Sequence, residues 1–252
     1  MGIQSIDRAV AILKLLSQSD EGLPISTICS RLGLALGTAH RFLHSLIDNG
    51  LVTQDEKTKF YRIGLEMLRL TSGILNSDRL IETARQPMQA AANKLQNMVY
   101  LSRENHGEVI CVSCVNDNVG PQMKFAAQIG SDMPFHAAAA GKIIMAYESP
   151  ERIESLIQQK MPLQKFTENT HVTKEAVMAD MHKCRVQGYS VCDEELELGV
   201  VAVAAPIRNL DGRVNASVAV TGIKANVVLD DLISIIKKCA EEISKAQGYL
   251  AK

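Results

Sequence analysis

Cys111 and Cys114 form a lone Cys-x-x-Cys, the spacing that zinc sites and thiol redox centres use when two sulfurs converge on one point. The flanking residues alternate as a strand does, and in a strand positions i and i+3 face opposite sides, so these thiols are not expected to meet. No second Cys-x-x-Cys completes a four-ligand set, and the pair reads as buried cysteines with no metal. His136, Lys142, Cys192, Glu194 and Glu195 include the types of a base, a nucleophile and an acid, yet nothing in the sequence orders them. There is no Gly-x-Ser-x-Gly elbow, no His-Glu-x-x-His and no glycine-rich phosphate loop. No catalytic residue and no cofactor is therefore expected, and the two acids read as a solvent-facing or subunit-facing edge. A different chemistry is offered by Gly37, Thr38, His40 and Arg41. Small residues let a backbone approach phosphates, and an arginine can fork to a guanine edge or clamp a phosphate.

The elements around those residues must hold them on one surface. From 36 to 49 the apolar positions Ala39, Phe42, Leu43, Leu46 and Ile47 follow helical spacing and turn Gly37, His40, Arg41, His44, Ser45 and Asp48 outward. Periodicity alone suits a solvated face of any small bundle equally well. Ahead of it, Ile6, Ala9, Val10, Leu13 and Leu16 predict a first helix with Ser5 as its N-cap, and Ile25, Ile28 and Leu32 predict a short second helix closed by Gly33. Residues 51–54 and 60–63 read as two strands around the charged turn Asp55 to Lys59. Three helices and a two-stranded wing are thus expected over residues 3–64.

Leu65, Leu68, Ser72 and Leu75 then mark a connecting helix, and Ile81, Ala84, Met88, Ala91 and Leu95 mark another that Pro87 should kink or restart. Strand patterns follow at 98–103, 109–115 and near 123–127. Helical patterns occupy 136–147, 150–159 and 173–187, strand patterns 189–191, 200–207 and 213–221, and Leu229 to Ile243 predicts a last helix. This is a small helical head on an α+β body.

Composition bounds the function. The chain has 252 residues, 46% of them hydrophobic and 22% charged, with 27 basic against 28 acidic side chains. That excludes a disordered chain and a polybasic coat for nucleic acid or anionic lipid, so any DNA contact must be local. No apolar run approaches the roughly 20 residues of a membrane span. The first residues lack a basic region followed by an apolar stretch and a cleavage site, and the expectation is a cytoplasmic protein whose six cysteines are reduced.

Ser5-Ile6-Asp7-Arg8-Ala9 with Ile12-Leu13, then Leu23 to Leu34, Gly37 to Leu43, Leu46 to Leu51 and Tyr61-Arg62-Ile63-Gly64, resemble the winged helix of the IclR family of bacterial transcriptional regulators. Gly130 to Lys142, with Pro134, His136, Ala140, Gly141 and Lys142, resembles that family's effector domain. So do Gly188-Tyr189, Glu194-Glu195, Gly199, Ala204-Ala205-Pro206 and Gly222. The resemblance implies a winged helix-turn-helix at residues 1–64, a connecting helix at 65–78 and a GAF-like or profilin-like α/β effector-binding domain at 79–252. It implies a homodimer or dimer of dimers that binds a pseudo-palindromic operator in double-stranded DNA under control of a small-molecule effector. The implied DNA contacts are Ser26, Thr27, Gly37, Thr38, His40, Arg41 and His44, with Lys57 and Lys59 at the wing tip. Ala35, Leu36 and Gly37 depart from the proline and polar or basic residue that members often carry there. The head holds seven basic against six acidic residues, so dimer geometry is expected to supply much of the affinity.

The effector site is implied between Ala139-Ala140 and the strands carrying Cys192, Ala202, Ala219 and Thr221. Members that bind small keto acids tend to line this site with an acid, a cysteine and hydroxyls, whereas here only Thr221 keeps a hydroxyl. A carboxylate with a bulkier or less polar body than glyoxylate or pyruvate is therefore expected, held in part by backbone N–H groups of a helix start. The alternative at this site is a closed alanine core. For the whole chain the alternatives are a metabolite-sensing module with weak DNA binding and an enzyme acting on a small acid.

Overall fold

The computed structural model describes residues 3–115 and 127–250, apart from the side chains of 74–77. The chain divides into two units, residues 1–77 and 78–252.

The first unit is built on α1 (Gln4–Leu16), α2 (Ile25–Leu32), α3 (Leu36–Asp48), β1 (Val52–Gln54), β2 (Tyr61–Ile63) and α4 (Glu66–Ser77). Its core is Ile12, Leu15, Leu16, Ile28, Leu43, Leu46, Val52 and Tyr61. α1 starts one residue before Ser5, behind Ile3, with no side-chain cap. Its buried stripe runs through Ile12, Leu15 and Leu16, whereas Ile6 and Val10 are exposed, so the core-facing side is rotated from the expected one. β1 and β2 pair antiparallel, and Leu23 adds a bridge to Tyr61 that ties α2's approach to the wing. Gly64 is required there, because a Cβ would lie 2.1 Å from the Gly50 carbonyl oxygen.

The second unit carries α5 (Arg79–Leu95), β3 (Met98–Asn105), β4 (Glu108–Val115), α6 (Ala139–Met145), α7 (Pro150–Lys160), α8 (Lys174–Gln187), β5 (Ser190–Asp193), β6 (Val200–Arg208), β7 (Val214–Ile223) and α9 (Leu229–Ala246). Five strands form one antiparallel sheet in the order β4-β3-β7-β6-β5. Side chains alternate between two apolar layers. Val99, Leu101, Val201, Val203, Ala205, Val218 and Val220 pack toward α5 and α9, and Met98, Tyr100, Ala202, Ala204 and Ala219 pack toward α6, α7 and α8. α5 runs unbroken through Pro87, against the expected restart. Ile81, Ala84, Met88, Ala91 and Ala92 all bury on one face, and that packing carries the helix past the missing N–H. The expected strand near 123–127 lies outside the described residues except for Ala127, which is buried.

α6 is shorter than expected, because residues 135–137 form a turn before it. At Gly141 a Cβ would stand 2.5 Å from the Met133 carbonyl oxygen, so the turn closes over α6 only with glycine there. The geometry expected of the Cys-x-x-Cys is also corrected. The register of β3 against β4 shifts between Leu101 and Ser102, leaving Val112 as an extra residue opposite them. That bulge turns Cys111 and Cys114 to the same layer, beside α6.

Candidate DNA interface and effector site

α3 is held by Ala39, Leu43 and Leu46 in the head's core, which fixes its opposite side toward solvent. Gly37, His40, Arg41 and His44 are exposed and Thr38 is half-buried. Ala35 caps α3 without a side-chain hydrogen bond; the Thr38 N–H bonds the Ala35 carbonyl oxygen at 2.9 Å, which leaves the N–H groups of Leu36 and Gly37 for an outside acceptor. Arg41 makes no ion pair among the described residues, whereas His44 is tied to Asp48 at 2.9 Å one turn later. That pair places the acid at the far end of the face, away from Gly37 and Thr38. Ser26 is exposed and Thr27 half-buried in α2's first turn.

The wing tip is organised by Asp55. Its Oδ1 accepts from the backbone N–H of Lys57 and Thr58 and from the Thr58 hydroxyl. The Thr58 bonds hold its carboxyl below the usual range. Lys57 and Lys59 remain exposed on this turn, with Lys59 at φ 60°. Arg62 points elsewhere and donates through Nε to the Glu21 carbonyl oxygen at 2.7 Å.

In the second unit the sheet brings the six expected effector residues to one layer. Cys192, Ala202, Thr221 and Met98 are successive cross-strand partners, and the next rung is Ser190, Ala204, Ala219, Tyr100 and Cys114. Ala139 and Ala140 open α6 above them, tied down where Ser190 Oγ donates to the Ala139 carbonyl oxygen at 2.7 Å and Ser217 Oγ to that of Ala140 at 3.3 Å. Ala139, Ala140, Cys192, Ala202, Ala219 and Thr221 are all buried. Thr221 Oγ1 has a long bond of 3.5 Å to the Val201 carbonyl oxygen.

Tyr100 was not among the expected residues. It is 4% exposed and packs in the layer beneath α6. Burial pushes its hydroxyl well above its ordinary value, with the Cys192 and Cys111 thiols next to it adding to the shift. The sequence held a signal for it, since Tyr100 is two residues from Met98 in an alternating strand and is the large polar member of a row of small side chains. Burial also pushes Cys111 and Cys184 up to about 12 and Cys192 up to about 11. In this environment they are protonated thiols at neutral pH, poorly suited to nucleophilic attack.

The hydrolase-like set comes together only in part: Lys142 and Glu195 pair near Cys192, while His136 and Glu194 are engaged elsewhere. His136 Nε2 bonds the Gln164 carbonyl oxygen at 2.9 Å, and its ring stacks on Phe166 and meets Phe135 edge-on. Glu194 points outward to Lys224 and the Gly199 N–H. Glu195 corrects the expectation of an exposed edge, because it is buried and paired with Lys142. His171, Asp180 and Glu195 place ligand-type atoms within 4.8 Å of one another, but the Lys142 ammonium already lies on both carboxylates.

These features define a class: a winged-helix DNA-binding head followed by an antiparallel sheet domain with helices on both faces. Family comparison agrees over both units. Residues 5–56 match the IclR helix-turn-helix domain and residues 72–245 match the bacterial transcriptional regulator IclR C-terminal domain. The glycerol operon regulatory protein of Streptomyces coelicolor is 30% identical over 98% of this chain and 97% of its own length. The transcriptional repressor AllR of Escherichia coli is 27% identical over 99% and 92%. An IclR regulator structure from Alicyclobacillus acidocaldarius superposes with a TM-score of 0.83 at 22% identity, covering 98% of this chain and all of that one. The chain belongs to the IclR family of bacterial transcriptional regulators, with that family's helix-turn-helix and C-terminal domains. Its relatives are named as regulators rather than enzymes. No helix among the described residues is long and apolar enough to cross a membrane.

Proposed function

We propose that this regulator reads its operator with α3 and senses a small carboxylate beneath α6. Gly37 and Thr38 approach phosphate at the uncapped start of α3, His40 and Arg41 reach base edges, and Ser26, Thr27 and His44 flank them. Lys57 and Lys59 contact backbone phosphate from the wing. Two copies joined through the connecting helix present two heads to a pseudo-palindromic operator, alone or as a dimer of dimers. The chain acts in the cytoplasm and catalyses no reaction. Functionally it divides into a head at 1–64, a connector at 65–78 and a sensor at 79–252.

The observation that carries the effector reading is the Tyr100 side chain, which brings a polar hydroxyl into a layer lined mainly by alanines, cysteines, Met98 and Thr221. A hydrogen bond from that hydroxyl to a charged carboxylate is worth roughly 1.5 to 3 kcal/mol. A structural relative from Microbacterium hydrocarbonoxydans, with a TM-score of 0.80, was crystallised with 4-hydroxybenzoate, and an aromatic carboxylate of that kind suits apolar walls better than glyoxylate or pyruvate.

The test is anisotropy on DNA from the protein's own upstream region, titrated with 4-hydroxybenzoate, glyoxylate and pyruvate. The less polar acid should shift operator affinity, and Tyr100→Phe and Ala140→Leu should abolish that response while leaving DNA binding intact. Retention of the full response in both variants, or a response to glyoxylate alone, would overturn the assignment.

A further inference from the structure

Beside the C-terminal half of α9 lies a cavity of about 410 Å³ that includes none of the effector residues above. Arg208, Lys237 and Lys245 line it from β6 and α9, together with Tyr147 and Tyr249 and a single acid, Glu241. The Arg208 guanidinium lies 4.8 Å from the centre of the Tyr147 ring and 5.7 Å from that of Tyr249. Its Nη1 donates to the Gly212 carbonyl oxygen at 3.1 Å, and its backbone N–H donates to Ser244 Oγ at 3.0 Å. Arg185 adds a further guanidinium 5.7 Å from the Tyr147 ring.

Among the described residues, Arg208, Lys237 and Lys245 make no ion pair with a carboxylate. Two helices end near this cavity, α8 at Gly188 and α9 close to Lys245, and their carbonyl ends each contribute roughly half a negative charge. With Glu241 included, the surplus around the cavity remains positive. A lysine with no partner can swing its head into water, but a guanidinium stacked between two rings is held in place with its remaining N–H groups directed by the fork. A monocarboxylate meets one such cation at a time. Three cations from two elements call for an acceptor with several oxygens and more than one negative charge.

We infer that this cavity binds a small phosphate dianion, either inorganic phosphate or the phosphate of a monoester whose body lies against the two tyrosine rings. The site is separate from the carboxylate site beneath α6 and does not depend on that reading.

The experiment is calorimetry on the full chain at pH 8 and low salt with inorganic phosphate and phenyl phosphate, acetate serving as the monoanion control. Phosphate should bind saturably with Kd of about 1 mM or below, acetate should not, and Arg208→Gln should weaken binding about tenfold, equivalent to about 1.4 kcal/mol. The chain has no tryptophan, so tyrosine difference absorbance gives an optical readout at Tyr147 and Tyr249. Lys245→Gln, at an exposed position, and Lys237→Gln, half-buried over the Tyr189 ring, repeat the test should Arg208→Gln fail to fold. Tighter binding of phenyl phosphate assigns the site to phosphorylated metabolites, and equal affinity assigns it to phosphate itself. Absence of saturable binding, acetate binding as tightly, or unchanged affinity in folded variants would overturn the inference.

Discussion

Lys142, 1% exposed, donates to Glu195 Oε1 at 2.5 Å across 53 positions of chain. The same ammonium reaches Asp180 Oδ2 at 2.7 Å and the Val191 carbonyl oxygen at 3.0 Å, so all three of its donors are used. α6, α8 and the turn after β5 are thereby pinned at one point beside the layer that carries Tyr100. Burial alone would lower the lysine, but Glu195 and Asp180 outweigh it and hold Lys142 above its ordinary value. Burial raises Glu195 against the pull of Lys142.

Lys142→Met should therefore cost about 3 to 5 kcal/mol, because it leaves Glu195 and Asp180 without their cation. Lys142→Met combined with Glu195→Leu and Asp180→Asn should recover part of that loss in urea melts. Because the folded pKa of Lys142 is raised, its contribution is fully present below the ordinary lysine value and is lost as pH rises through the folded one. Stability of the wild type should thus fall in strong alkali more steeply than that of the triple variant.

His136 makes the opposite prediction. Burial holds it below its ordinary value, against the bond to Gln164 and with a further push from Lys142. A group with a depressed folded pKa favours the native state above the unfolded value, and that advantage is lost as pH falls toward and through the folded one. Stability should begin to drop below about pH 6.5. His136→Gln should remove that part of the acid slope in a melting series, and an unchanged slope would acquit the histidine.

The head and most sheet strands were legible because their signals are local: helical spacing in α3, Gly33 in the left-handed region, and short runs rich in valine and alanine around the Asp211-Gly212 turn in β6 and β7. The missed features depend on contacts distant in sequence. Nothing near Cys111 announces the bulge at Val112, which arises from pairing with β3. Nothing near Glu195 shows that Lys142 awaits it from α6, and a pair of glutamates reads as surface until the fold brings that cation to one of them. The restart expected at Pro87 is absent for the same reason, since the sheet beneath α5 supplies the packing that local propensity lacks.

Arg41 is exposed beside the uncapped start of α3 and makes no ion pair among the described residues. Arg41→Ala should leave the melting temperature within a degree or two and weaken operator binding by about tenfold or more, the loss of one base or phosphate contact worth roughly 1 to 3 kcal/mol. Unchanged affinity at fixed salt would remove Arg41 from the interface.

Lys57 and Lys59 should act without regard to sequence. Changing both to glutamine should lower the slope of log affinity against log salt by about one to two per head, and the ranking of operator variants should stay as it was. Asp55 orders the turn through its bonds to Lys57 and Thr58, so Asp55→Ala should give a smaller fall in affinity by loosening the same lysines. A preserved salt slope would mean that the wing stands off the DNA.

The connecting helix should set the oligomer. Leu65 is 82% exposed, Leu68 65% and Leu70 62%, three large apolar side chains within six positions where the head's own core needs none of them. Single exposed leucines are ordinary, but a run of them on one segment marks a surface that another chain covers. Leu75, the fourth position of the expected stripe, lies outside the described side chains. Pairing through this segment joins two heads, and two linked heads gain on the order of a hundredfold or more in affinity over one when the half-site spacing fits. Leu65→Glu with Leu68→Glu should therefore shift sedimentation at micromolar concentration toward monomer. It should weaken binding to a two-half-site operator far more than binding to a single half-site, because only the first uses both heads. Wild-type sedimentation as a monomer, or equal losses on the two DNAs, would contradict this arrangement.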